Sequence, residues 1–159
     1  MKHIIALVFL FILLISFGSC KNELLISAGI HQPHCGGAPP TAELSNRPLT
    51  DKIIIVGVKD SIVVDLSNSG ESKVRLANGS YQWYQYSKSL NTEVTYALTM
   101  KVDRNLFEFI GLPCIEQWKK TADGFFSVNS DMDTVKLELR SNCYSRLVPC
   151  LKYIGPMYE

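Results

Sequence analysis

Two short segments of the chain hold residue types that bind metal ions. His31-Gln32-Pro33-His34-Cys35 gathers two imidazoles and a thiol, donors that zinc and copper accept together. Pro33 bars the regular helix that would set both histidines on one face. The segment therefore reads as loop histidines ahead of a disulfide, with a metal site at His31 and His34 as the alternative. Asn129-Ser130-Asp131-Met132-Asp133 has the oxygen donors that open a calcium loop, whose sixth and twelfth positions require Gly and Glu. Thr134 and Arg140 stand there instead, so the segment reads as a hairpin turn between two strands.

Binding without catalysis is a different possibility. Tyr81, Trp83, Tyr84 and Tyr86 crowd one segment, and Trp118 stands apart from them. Side chains alternate along a strand, so Tyr81 and Trp83 share one face while Tyr84 and Tyr86 share the other. With Tyr81 inward, Tyr84, Tyr86 and Trp118 become the candidates for an exposed platform that takes a glycan or a peptide. Acid–base chemistry has little support. The three histidines are His3, His31 and His34, none on a segment that reads as rigid, whereas a catalytic base must be held by a third group. Neither a nucleophile elbow nor a phosphate-cradling glycine loop occurs. The expectation is a protein that is not an enzyme and uses no cofactor.

The five cysteines divide into one and four. Met1-Lys2-His3 is a short basic start, Ile4–Leu14 is apolar throughout, and Gly18-Ser19 supplies small residues before Cys20. A basic start, an apolar run and a small-residue cut site define a secretory signal, here residues 1–19. Phe17-Gly18-Ser19-Cys20 resembles the bacterial lipobox, which implies acylation of Cys20 and a membrane anchor. Lys21, rather than Asp, at the next position resembles lipoproteins destined for the outer membrane. Cys35, Cys114, Cys143 and Cys150 then remain, an even set that in an exported chain makes two disulfides with three possible pairings. By loop entropy a Cys143–Cys150 bridge is worth about 2.5 kcal/mol and a Cys35–Cys150 bridge nearer 5 kcal/mol. Loss of Lys2 with the signal brings the basic count from 16 to 15, equal to the 15 acidic residues. A neutral chain with scattered cations lacks the basic face that nucleic acid requires.

These residues need a frame. From 20 to 51 the chain holds Pro33, Pro39, Pro40 and Pro48, which reads as an irregular tether between the anchor and a domain over 52–159. Ile53-Ile54-Ile55-Val56 reads as a buried strand and Ser61–Leu66 as its successor. Glu71–Leu76 alternates cleanly, with Ser72, Val74 and Leu76 on one face and Glu71, Lys73 and Arg75 on the other. Asn78-Gly79 is a strong hairpin cue and leads into the aromatic strand 80–86. Strands follow at 94–100 (or a helix there), 106–110, 124–128 and 134–140, with one short helix or turn near 113–120. The expected fold is all-β, an antiparallel sandwich of about seven strands.

Gly70, then Val74 and Leu76, then Gly79 and Tyr81 resemble the core of carboxypeptidase-regulatory-like domains over about twenty residues. That resemblance implies a transthyretin-like or Cna-B-like sandwich. Pro33-His34-Cys35-Gly36-Gly37 and Pro149-Cys150-Leu151-Lys152-Tyr153 also resemble segments of small bacterial lipoproteins, and this similarity implies a class without a chemistry. The expectation is a membrane-anchored, non-catalytic lipoprotein of the cell envelope acting as a binding or structural module. Its partners would be the membrane and an envelope protein or glycan.

Overall fold

The computed structural model describes residues 21–33, 46–143 and 145–156. Residues 1–19, which read as a secretory signal, together with Cys20, His34 and Cys35 thus lie outside the described residues. Among the described residues are ten strands, of which eight build an all-β sandwich and β7 and β10 pair apart from it: β1 (Lys21–His31), β2 (Asn46–Pro48), β3 (Lys52–Val56), β4 (Ser61–Asp65), β5 (Glu71–Ala77), β6 (Gly79–Gln85), β7 (Phe107–Phe109), β8 (Gly124–Val128), β9 (Thr134–Arg140) and β10 (Leu151–Tyr153). Two helices, α1 (Thr92–Thr99) and α2 (Leu112–Lys120), pack beside it.

The first sheet is built around β1. On one edge β1 pairs antiparallel with β5 and then with β2; on the other it pairs in parallel with β9, Leu25 opposite Thr134 through His31 opposite Arg140. This corrects two expectations. The segment read as an irregular tether contains an eleven-residue central strand, and the sandwich is not purely antiparallel. Leu24, Ile26, Ala28 and Ile30 are all buried at a spacing of two, the signature of a half-buried strand. The prolines that suggested irregularity begin only at Pro33.

The second sheet runs β4-β3-β6-β8 with every pair antiparallel. Between the sheets lies a core of aliphatic side chains from both inner faces, with Tyr81 and Trp83 among them. Trp83 lies so close over β8 that a Cβ on Gly124 would meet its Nε1 at 2.5 Å, so only glycine fits there.

Turn cues located the turns but not the pairings. Asn78-Gly79 does not close a hairpin, because β5 belongs to the first sheet and β6 to the second. Asn129–Asp133 likewise carries the chain from β8 to β9 across the sandwich instead of making a hairpin. A turn sequence favours a local backbone path and says nothing about which strand lies alongside afterwards.

A smaller lobe fills the space between Gln85 and Gly124. The segment 94–100, open between strand and helix in the sequence, is mostly helical as α1, whose Asn91 cap accepts a hydrogen bond from the Glu93 amide at 2.9 Å. The helix near 113–120 is α2, with Pro113 in its first turn. β7 and β10 form a two-stranded sheet, and a Cys114–Cys150 disulfide ties α2 to the residue before β10. That pairing excludes both bridges whose loop entropies were compared above. Cys143 is disulfide-bonded as well. Among the described residues no helix is long and apolar enough to cross a membrane.

Candidate binding face

The core takes only one face of the second sheet. Along β3, Ile53 and Ile55 are buried while Ile54 and Val56 are only half-buried. The run that read as buried on both faces therefore sends half of its apolar side chains outward. Register then sets neighbours beside them. Ile54 lies between Val63 of β4 and Tyr84 of β6, and Val56 lies between Ser61 and Gln82. Gln82 in turn faces Phe125 of β8.

Two rows cross the sheet as a result, Val63–Ile54–Tyr84 and Ser61–Val56–Gln82–Phe125. With strands about 4.8 Å apart and alternate residues about 6.8 Å apart, the longer row spans roughly 14 Å and the two rows lie about 7 Å apart. Phe125 is 74% exposed and Val63 is 54% exposed, which gives the face a solvent-facing apolar surface on a rigid frame. Tyr84 donates from its hydroxyl to Gln82 Oε1 at 2.7 Å, fixing both side chains. Below the rows, Ser80 and Ser127 hydroxyls meet at 3.3 Å. Above them, Lys52 Nζ and Asp65 Oδ1 lie 2.8 Å apart. Hydrogen bonding to Asp65 and its charge raise the Lys52 pKa above its ordinary value.

The chemistry on offer is stacking and hydrogen bonding. Its polar groups are an amide and hydroxyls, and its one ion pair is internally neutral. Among the described residues no histidine or cysteine stands on it.

The sequence candidates distribute unevenly. Tyr81 and Trp83 point inward and Tyr84 outward, as the alternation requires. Tyr86 has left the strand and opens a 3-10 turn over Tyr86–Ser89. Trp118 does not join them. It sits on α2 with Lys88 Nζ 5.0 Å from its ring centroid, lining a separate cavity of about 590 Å³ with Gln117, Asp123, Glu138 and Arg140. Lys88 is already committed there, 2.9 Å from Asp123 Oδ1 and donating to the Thr121 carbonyl at 2.6 Å.

His31 is not in a loop but at the end of β1, with Nδ1 3.0 Å from Asn46 Oδ1. Among the described residues no three His, Cys, Asp or Glu side chains gather as a metal site. Ile54, Val56, Val63 and Phe125 were missed as surface residues. One signal existed: Phe125 and Phe126 are adjacent on a strand, so one of them must face outward. No protein-family model, curated protein or solved structure matches this chain.

Proposed function

We propose that this chain is a non-catalytic, exported binding module, held at a bacterial outer membrane by acylated Cys20, whose ligand is an uncharged glycan lying across the outer face of the second sheet. One observation supports the ligand surface above the others. The sheet turns Val63, Ile54 and Tyr84 outward in one row, beside Val56 and a 74% exposed Phe125 in the next, whereas the solvated face of an antiparallel sheet is ordinarily polar. Aromatic rings present flat, apolar surfaces to the C–H faces of sugar rings, and Gln82, Ser61, Ser80 and Ser127 supply donors and acceptors for hydroxyls. The absence of a net charge on the face favours a neutral polymer over an ionic one. Acylation of Cys20 is supported by the signal-like leader and by the even count of cysteines that it leaves.

A glycan array tests the ligand. Wild type is expected to retain at least one neutral polysaccharide, and Tyr84→Ala/Phe125→Ser to lose it while keeping its melting temperature. Equal retention by both proteins, or no retention by either, overturns the reading.

A further inference from the structure

Lys21, already paired within the central strand, lies one peptide bond after the residue proposed to carry the lipid. Consecutive Cα atoms are 3.8 Å apart, so lipid attached at that residue would meet the bilayer beside this end of β1. Three connections share that end. Lys21 pairs with Ala77 at the β5–β6 corner, and the side chain of Asn22 donates to Asn78 Oδ1 at 2.7 Å and to the Asn129 carbonyl at 3.2 Å. The β3–β4 loop completes it, since Lys21, Val58, Lys59, Asn78 and Gly79 line one hollow of about 310 Å³. At the tip of that loop stands Val58, 94% exposed, the most exposed large apolar side chain among the described residues.

We infer that this end of the domain rests on the lipid surface, with Val58 entering the boundary between head groups and acyl chains. The inference rests on the acylation of Cys20 proposed above. Lys21 and Lys59 share the end with Asp60 and with Asp131, two residues past the Asn129 that Asn22 holds, so charge does not drive the contact and anionic lipid is not needed. The acyl anchor supplies the affinity; the valine sets the posture. Burying one valine favours the docked orientation about tenfold, equivalent to about 1.4 kcal/mol. Docking would turn the candidate face sideways to the membrane. Val56 and Ile54 lie two and four residues along the chain from Val58, roughly 7 and 13 Å above that valine, so the glycan bound there would be one running close along the membrane.

Depth measurement by nitroxide labels tests this on the full-length acylated protein in phosphatidylcholine vesicles, with and without phosphatidylglycerol. Val58→Cys carries one label, and Asn68→Cys carries the control, at a turn beside Ala28 and roughly 23 Å along β1 from Lys21. The expected result is loss of access for a water-soluble nickel chelate at 58 but not at 68, unchanged by phosphatidylglycerol or salt. Val58→Asp, read by a label at Lys59→Cys, should reduce the docked population about tenfold. Equal access at 58 and 68 in protein whose Cys20 is acylated by mass spectrometry overturns the docking and leaves the anchor standing. An unacylated Cys20 overturns both. Protection that appears only with phosphatidylglycerol also overturns the apolar contact, in favour of an electrostatic one.

Discussion

The sandwich and the helical lobe are stabilised by opposite means. In the sandwich, alternation along each strand sends aliphatic side chains into one continuous core, and neighbours are interchangeable in kind. Leu24, Ile26, Ile53 and Ile55 are each nearly or fully buried. Any apolar residue of similar volume would serve at most of these positions. The lobe has Ile115 and two buried threonines, Thr95 and Thr99, in place of such a core. It depends on particular pairs: the Cys114–Cys150 bridge, the Lys88–Asp123 ion pair, Lys119 Nζ donating to the Leu90 carbonyl at 2.6 Å, and the edge-on rings of Tyr96 with Phe109 and Phe107 with Tyr153. A buried ion pair adds little net stability but is costly to break, because the abandoned partner has lost its water. The contrast teaches that the sandwich should fail as a whole and the lobe by parts.

The most damaging single change should therefore lie in the sandwich. Trp83→Ala removes the largest inward ring and leaves a cavity against Gly124. The expected cost is about 5 kcal/mol, with both sheets of the sandwich unfolding in one transition. Amides of β1, β5 and β9 losing protection in urea at a different midpoint from those of β3, β6 and β8, read by hydrogen exchange, would break the comparison at its first half.

Loss of the disulfide should come next and stay local. The bridge joins residues separated by 36 in sequence, a loop whose entropy makes it worth about 4 kcal/mol. In Cys114→Ser/Cys150→Ser, hydrogen exchange should speed up first at the amides of α1, α2 and β10, while β1, β5 and β9 keep their protection. Equal loss of protection in β1 would mean that the lobe is part of the sandwich's cooperative unit and not an appendage.

The same division explains what the sequence disclosed. Strands β5 and β9 were legible because a period of two separates charged from aliphatic residues, Lys73 from Val74 and Lys136 from Leu137. β1 has the same period, yet Ala28 and Gly29 weaken the contrast and nearby prolines lend the segment an irregular character. Which strands pair was not legible at Asn78-Gly79, because sheet-switching and hairpin closure use the same turn residues. The candidate face was half legible. Alternation placed Tyr84 outward, but an all-apolar run at Ile53–Val56 carries no mark of which members face water, and only the register with Val63, Gln82 and Phe125 assembles them. In the lobe, nothing in the spacing of Lys88, Trp118 and Asp123 announces that they meet.

The smallest expected effect concerns a polar group inside the sandwich itself. Tyr81 stacks on Phe126 with centroids 5.4 Å apart, and its hydroxyl donates to the Ala77 carbonyl at 2.8 Å. Burial, reinforced by the Asp60 carboxylate, raises its pKa above the ordinary value of 10.0. The folded state thus holds the phenolic proton more tightly than the unfolded chain does. The stability this contributes is complete below the unfolded value near 10 and is lost as pH rises through the higher folded value. Tyr81→Phe should cost about 1 kcal/mol at neutral pH through the lost hydrogen bond. It should also shrink that cost as pH rises above about 10, because the wild type alone then has a phenolate to bury. Denaturant midpoints measured for both proteins across that range check it. Parallel pH curves would place Tyr81 outside the alkaline limb and leave the sandwich, unlike the lobe, without any single polar pair on which its stability depends.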